Sequence, residues 1–77
     1  MTKKIFGAYG DNVLIEKQEV INSTVMGKVI HSNRQDLIFG DIVLYNEYDS
    51  IPYHIAKNTE VDIVWAMKIR AKLVTKN

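Results

Sequence analysis

The feature that most constrains this chain is a rhythm of turns. Breaks rich in Gly, Asn, Asp and Ser fall at Gly10-Asp11, Asn22-Ser23-Thr24, His31 to Asp36, Gly40-Asp41, Tyr48-Asp49-Ser50 and Lys57-Asn58-Thr59. They recur roughly every ten residues, as in all-β barrels and sandwiches. Between them no segment sustains the 3.6-residue apolar period of an amphipathic helix, and no internal repeat is visible. Short strands joined by tight turns fit this spacing, so the expected fold is all-β, a small barrel.

The segments between breaks read as strands. Asn12 to Gln18 is rich in branched aliphatics, which favour a pleated surface. Val25 to Ile30 puts Met26, Lys28 and Ile30 on one face and Val25, Gly27 and Val29 on the other, with a bulge expected at Gly27 and Met26 assigned to the core. Ile42 to Tyr45 follows Gly40-Asp41 as a third strand. Ile51, Tyr53 and Ile55 alternate with Pro52 and His54, and proline confines that segment to an edge or a bulge. Val61, Ile63 and Trp65 alternate with Glu60 and Asp62, so these three apolar residues are expected to face the core. Finally, Met67, Ile69, Ala71 and Leu73 alternate with Lys68, Arg70 and Lys72, a half-buried strand after a short helical turn.

Composition narrows the rest. Seventy-seven residues hold a single domain, residues 1–77, and a chain this short often gains stability by disulfides, a metal or oligomerisation. The absence of cysteine removes disulfides and thiolate zinc sites, which leaves oligomerisation as the open route. Charge-free stretches are far shorter than the ~20 apolar residues of a membrane span. No long apolar region follows Met1-Thr2-Lys3-Lys4, so no membrane partner and a cytoplasmic location are expected. A net charge of +1 lacks the basic excess that drives nonspecific nucleic-acid binding.

No catalytic or cofactor motif stands out. His31 and His54 are isolated from each other and from any cysteine, so they read as surface or turn residues rather than metal ligands or acid-base groups. Ser23, Ser32 and Ser50 lie in turn-like sequence outside any nucleophile elbow. The glycines form no phosphate-cradling pattern. Phe39, Tyr45, Tyr48 and Tyr53 would make a stacking surface for single-stranded nucleic acid in a small barrel. Interleaved Glu47 and Asp49 oppose that reading, so nucleic acid is an unfavoured partner. The expectation is a protein without enzymatic activity, cofactor or metal.

Four segments in order carry a resemblance. Gly10 to Lys17 resembles the first barrel strand of the GroES-like co-chaperonins (the chaperonin-10 family), with Asn12 in place of the usual arginine. Ser23 to Ile30 is similar to the family's strand leaving the mobile loop, with Lys28 where an acid stands. Phe39-Gly40-Asp41-Ile42-Val43-Leu44-Tyr45 resembles the Val-Gly-Asp-x-Val-x-Phe signature. Glu60 to Ile69 resembles the closing strand and turn, with Lys68 in place of aspartate.

The resemblance implies a GroES-like barrel forming a homo-oligomer, a heptameric ring, that assists protein folding with a chaperonin; divergent viral members make a phage origin one expectation. It also implies that subunits join through the chain ends, with Ile5, Phe6, Leu73 and Val74 at the interface. Only residues 18–26 remain where the family carries a long mobile loop with its aliphatic docking tripeptide, and only residues 31–39 where it carries the roof hairpin. Val20, Ile21 and Val25 are the candidate chaperonin anchors of that short loop. The competing reading has Val20 and Ile21 closing the strand. A structural or assembly protein that keeps the barrel without chaperonin binding therefore stands beside the co-chaperonin, and the nucleic-acid-binding barrel stands third.

Overall fold

The computed structural model describes residues 7–56 and 59–74. These residues form six strands: β1 (Asn12–Ile21), β2 (Thr24–Ser32), β3 (Ile42–Asn46), β4 (Ser50–Ala56), β5 (Thr59–Trp65) and β6 (Ile69–Lys72). Single 3₁₀ turns sit at Glu47–Asp49 and Ala66–Lys68. All pairings are antiparallel, in one sheet of order β4-β5-β1-β2-β3-β6. The all-β expectation holds, and no helix among the described residues is long and apolar enough to cross a membrane.

One hydrogen bond shows that the sheet curls over its core. The Tyr45 hydroxyl on β3 donates to Asp62 Oδ2 on β5 at 2.5 Å, although β1 and β2 lie between those strands in the sheet. The sheet therefore curls until its inner faces meet. Val13, Ile15, Val25, Val29, Val43, Tyr45 and Val64 fill that interior without solvent exposure, Leu37 covers it, and Ala66 and Ile69 pack against it. Each such side chain contributes on the order of 1.5–3 kcal/mol on burial. Among the described residues no ladder joins β4 to β6, so both outer strands keep an open edge.

Local chemistry explains the turns. Asn22 and Ser23 have φ of 49° and 68°, the signature of a two-residue type I′ hairpin whose twist matches its strands. The expected polar interruption is thus a tight turn, and β1 runs on to Ile21. At Gly40, φ is 94°, a conformation that favours glycine. Gly40 N–H donates to Val29 O at 2.8 Å, and Ile38 N–H donates to the Asp41 carboxylate at 3.0 Å. The Gly-Asp pair therefore ties the preceding loop to β2 and launches β3. Pro52 lies on β4, an outer strand, as its missing N–H requires.

Three packing expectations are corrected. The bulge expected at Gly27 lies across from it: the register steps from Lys17↔Gly27 to Glu19↔Met26, leaving Gln18 as the extra residue on β1. Gly27 is instead required by close packing, because a Cβ there would overlap Ile15 Cγ2 and lie 3.0 Å from Glu16 O. Met26 is half-buried on the outer face rather than in the core, since β2 turns Val25 and Val29 inward. On β5 the phase is reversed: Asp62 and Val64 point inward, Val61 is buried on the opposite face, Ile63 is half-buried, and Trp65 is 51% exposed. The Tyr45 hydroxyl makes the inward carboxylate tolerable.

Candidate functional site

Val25, one of the three expected docking residues, is fully buried in the core. Its side chain is committed to folding. Val20 and Ile21 are 41% and 60% exposed at the end of the β1–β2 hairpin, next to the Asn22-Ser23 turn. They sit on paired backbone, Val20 opposite Val25 and Ile21 opposite Thr24, so the segment has the geometry of a ladder rather than of a long loop. Of the expected interface residues, Leu73 and Val74 are two-thirds exposed just after β6. Ile5 and Phe6 lie outside the described residues.

The sheet order brings the two sets together. A groove of about 330 Å³ is lined by Met26, Ile42, Leu44, Ala71, Lys72, Leu73 and Val74. A second, about 400 Å³, is lined by Glu19, Ile21, Asn22, Thr24, Met26 and Leu44. Met26 and Leu44 belong to both. They are opposite each other on β2 and β3, and Leu44 is opposite Ala71 on β6. A largely apolar strip, flanked by Glu19, Asn22, Thr24 and Lys72, thus runs across the outer face from Ile21 at the hairpin to Val74 beyond β6, beside the edge of β6 that is unpaired among the described residues. Sequence reasoning named both ends of this strip. Met26 and Leu44, which join them, were missed because Met26 had been assigned inward; the apolar residues at alternate positions of β2 and β3 were the available signal.

Charges surround β6 on its other side. Arg34 grips Asp36 through two hydrogen bonds, Nε to Oδ1 at 2.9 Å and Nη2 to Oδ2 at 3.1 Å. That fork holds the Asp36 carboxyl below the usual carboxylate range and the Arg34 guanidinium above its ordinary value. Lys72 donates to Asp36 O at 2.9 Å and lies 3.7 Å from Asp41 Oδ2. These contacts fasten β6 to the loop before β3.

The interior polar pair is structural. Burial, reinforced by the Asp62 carboxylate, pushes the Tyr45 phenol well above its ordinary pKa. Lys17 Nζ stands 3.9 Å from Asp62 Oδ2 and as far from Glu60 Oε1, which offsets part of the buried charge. Tyr45 is therefore removed from any stacking surface for nucleic acid, while Phe39 lies under Lys28 Nζ at 5.4 Å and Tyr48 and Tyr53 sit on separate elements.

The remaining candidates are structural as well. His31 Nδ1 accepts from Ala8 N–H at 2.8 Å, and His54 pairs with Glu60 at 3.4 Å. Ser32 Oγ accepts from Arg34 N–H and Ser50 Oγ donates to Glu47 O. Among the described residues no group of His, Asp or Glu has the arrangement to hold a metal ion. Comparison with family models, curated proteins and solved structures gives no match.

Proposed function

We propose that this chain is a non-enzymatic, GroES-like assembly subunit whose copies join into a ring, heptameric by resemblance, through β6 and the apolar strip beside it. The observation that carries this reading is the coincidence of a strand edge left unpaired among the described residues with exposed Leu73, Val74, Leu44 and Ile21. Strand edges bordered by apolar surface are templates for pairing with another chain. A chain of this size also has much to gain from burying that surface.

The hairpin bears on the choice between a structural ring and a co-chaperonin. A mobile loop needs reach and exposed hydrophobes, whereas the strands here close directly on Asn22-Ser23. That supports an assembly component. Exposed Val20 and Ile21 support the second reading, in which the hairpin end touches a chaperonin as a preformed wedge. Native mass spectrometry of the protein alone, and then with a chaperonin and ATP, separates them. Rings alone in both conditions support the structural reading, rings that join the chaperonin support the second, and a protein that stays monomeric sinks both.

A further inference from the structure

The assembly just proposed needs a receiving surface as well as an apolar strip, and the cleft behind β6 has the chemistry for one. This cleft, about 270 Å³, is lined by Arg34, Asp36, Leu37, Ala66, Ile69, Arg70, Ala71 and Lys72. It falls just below the ~300–1,000 Å³ of small-molecule pockets and suits inserted side chains. Its floor is apolar, because Leu37, Ala66 and Ile69 belong to or border the core.

Three cations edge the cleft, and two are already engaged. Arg34 is held by Asp36, and Lys72 by Asp36 O and Asp41. Arg70 has no partner among the described residues. The register explains its placement: Leu44 is opposite Ala71 and Tyr45 is opposite Ile69, so Arg70 is the extra residue of a bulge on an outer strand. Bulges of this kind re-aim a side chain. The fold thus presents an uncommitted guanidinium above an apolar floor.

The complementary feature is elsewhere on the same chain. Glu19 has no ion-pair partner among the described residues, and it directly precedes Val20 and Ile21, the exposed aliphatics of the hairpin. The type I′ turn holds them on paired backbone, so docking them costs little ordering entropy. Glu47 and Asp49 lie in the 3₁₀ turn whose Glu47 N–H donates to Ser23 O at 2.9 Å, which adds negative charge around the hairpin end. An acidic, apolar projection and a basic, apolar-floored cleft are matched in sign and polarity.

We infer that the hairpin end of one copy seats in the β6 cleft of the next, Glu19 on Arg70 and Ile21, which shares the face of Glu19, over Leu37 and Ile69. Such a contact is heterologous: each copy offers a projection to one neighbour and a cleft to the other, which generates rings when the rotation closes. It rests on the assembly reading and names the surfaces that carry it.

Charge reversal tests it, because both residues are exposed and circular dichroism verifies that the variants fold. Glu19→Arg alone and Arg70→Glu alone should each weaken association at least about tenfold in sedimentation velocity. The double variant Glu19→Arg/Arg70→Glu should assemble again, with the subunit number of the unmodified protein in native mass spectra, because every copy then offers a positive projection to a negative cleft. If either single variant assembles as the unmodified protein does, or if the double variant stays apart, this contact is wrong while the assembly reading stands. If the unmodified protein is monomeric, both fall.

Discussion

At the scale of single residues, Asp62 is the one fully buried charged residue among those described. One oxygen accepts from Tyr45, and Oδ1 has no partner among the described residues. Removing the hydroxyl with Tyr45→Phe leaves the buried carboxylate less satisfied, and hydrogen bonds to charged groups are worth about 1.5–3 kcal/mol. A loss of that size should appear in urea denaturation. The same pair sets a pH dependence. The folded phenol titrates above its ordinary value, so its contribution is whole below about pH 10, where the unfolded chain also keeps that proton. It declines as pH rises further, because only the unfolded state then releases the proton. Urea midpoints measured at pH 8 and at about pH 10.5 should therefore fall for the unmodified protein more than for Tyr45→Phe. Equal falls would show that Tyr45 is not the group responsible.

At the scale of elements, the β1–β2 hairpin is the part most open to improvement. Ser23 sits at a φ of 68°, where a residue with a Cβ is disfavoured by roughly 1–2 kcal/mol and where type I′ turns prefer glycine. Ser23→Gly should stabilise the protein by about 0.5–1 kcal/mol, raising Tm by several degrees at roughly 4–8 °C per kcal/mol for a domain this size. An unchanged Tm would mean that this turn is not held in the I′ conformation. The break at Asn22-Ser23, the launch of β3 at Gly40-Asp41 and the outer position of Pro52 were legible in the sequence because turn chemistry is local, whereas the run of β1 through Ile21 into a paired hairpin, in place of a short loop, was not. The phase of β5 was not. Val61, Ile63 and Trp65 mark one face and Val64 the other, and the choice between them is made by Tyr45, which reaches Asp62 from another strand. The candidate site divides in the same way. Ile21, Leu73 and Val74 were readable as uncommitted apolar residues, but the strip joining them depends on β3 lying between β2 and β6, and the aim of Arg70 depends on a bulge set by long-range register.

For the whole molecule, the assembly proposed above makes stability depend on concentration. Tm should rise with protein concentration, since association stabilises the folded form by mass action. Leu73→Asp combined with Val74→Asp should remove that dependence while leaving the dilute Tm nearly unchanged, because both side chains are exposed. A concentration-independent Tm in the unmodified protein would argue against the strip as an interface. The central place of β1 also matters in time. β2 follows β1 at once, but the other flank of β1 is covered by β5, with Leu14 opposite Ile63. During synthesis the edge beside Val13, Leu14 and Ile15 stays bare until β5 has left the ribosome. At ~5–20 residues per second, translating the stretch from Ser32 to Val61 takes about 1–6 seconds. For that interval the chain carries an unpaired strand edge, the kind of surface through which incomplete chains misassemble.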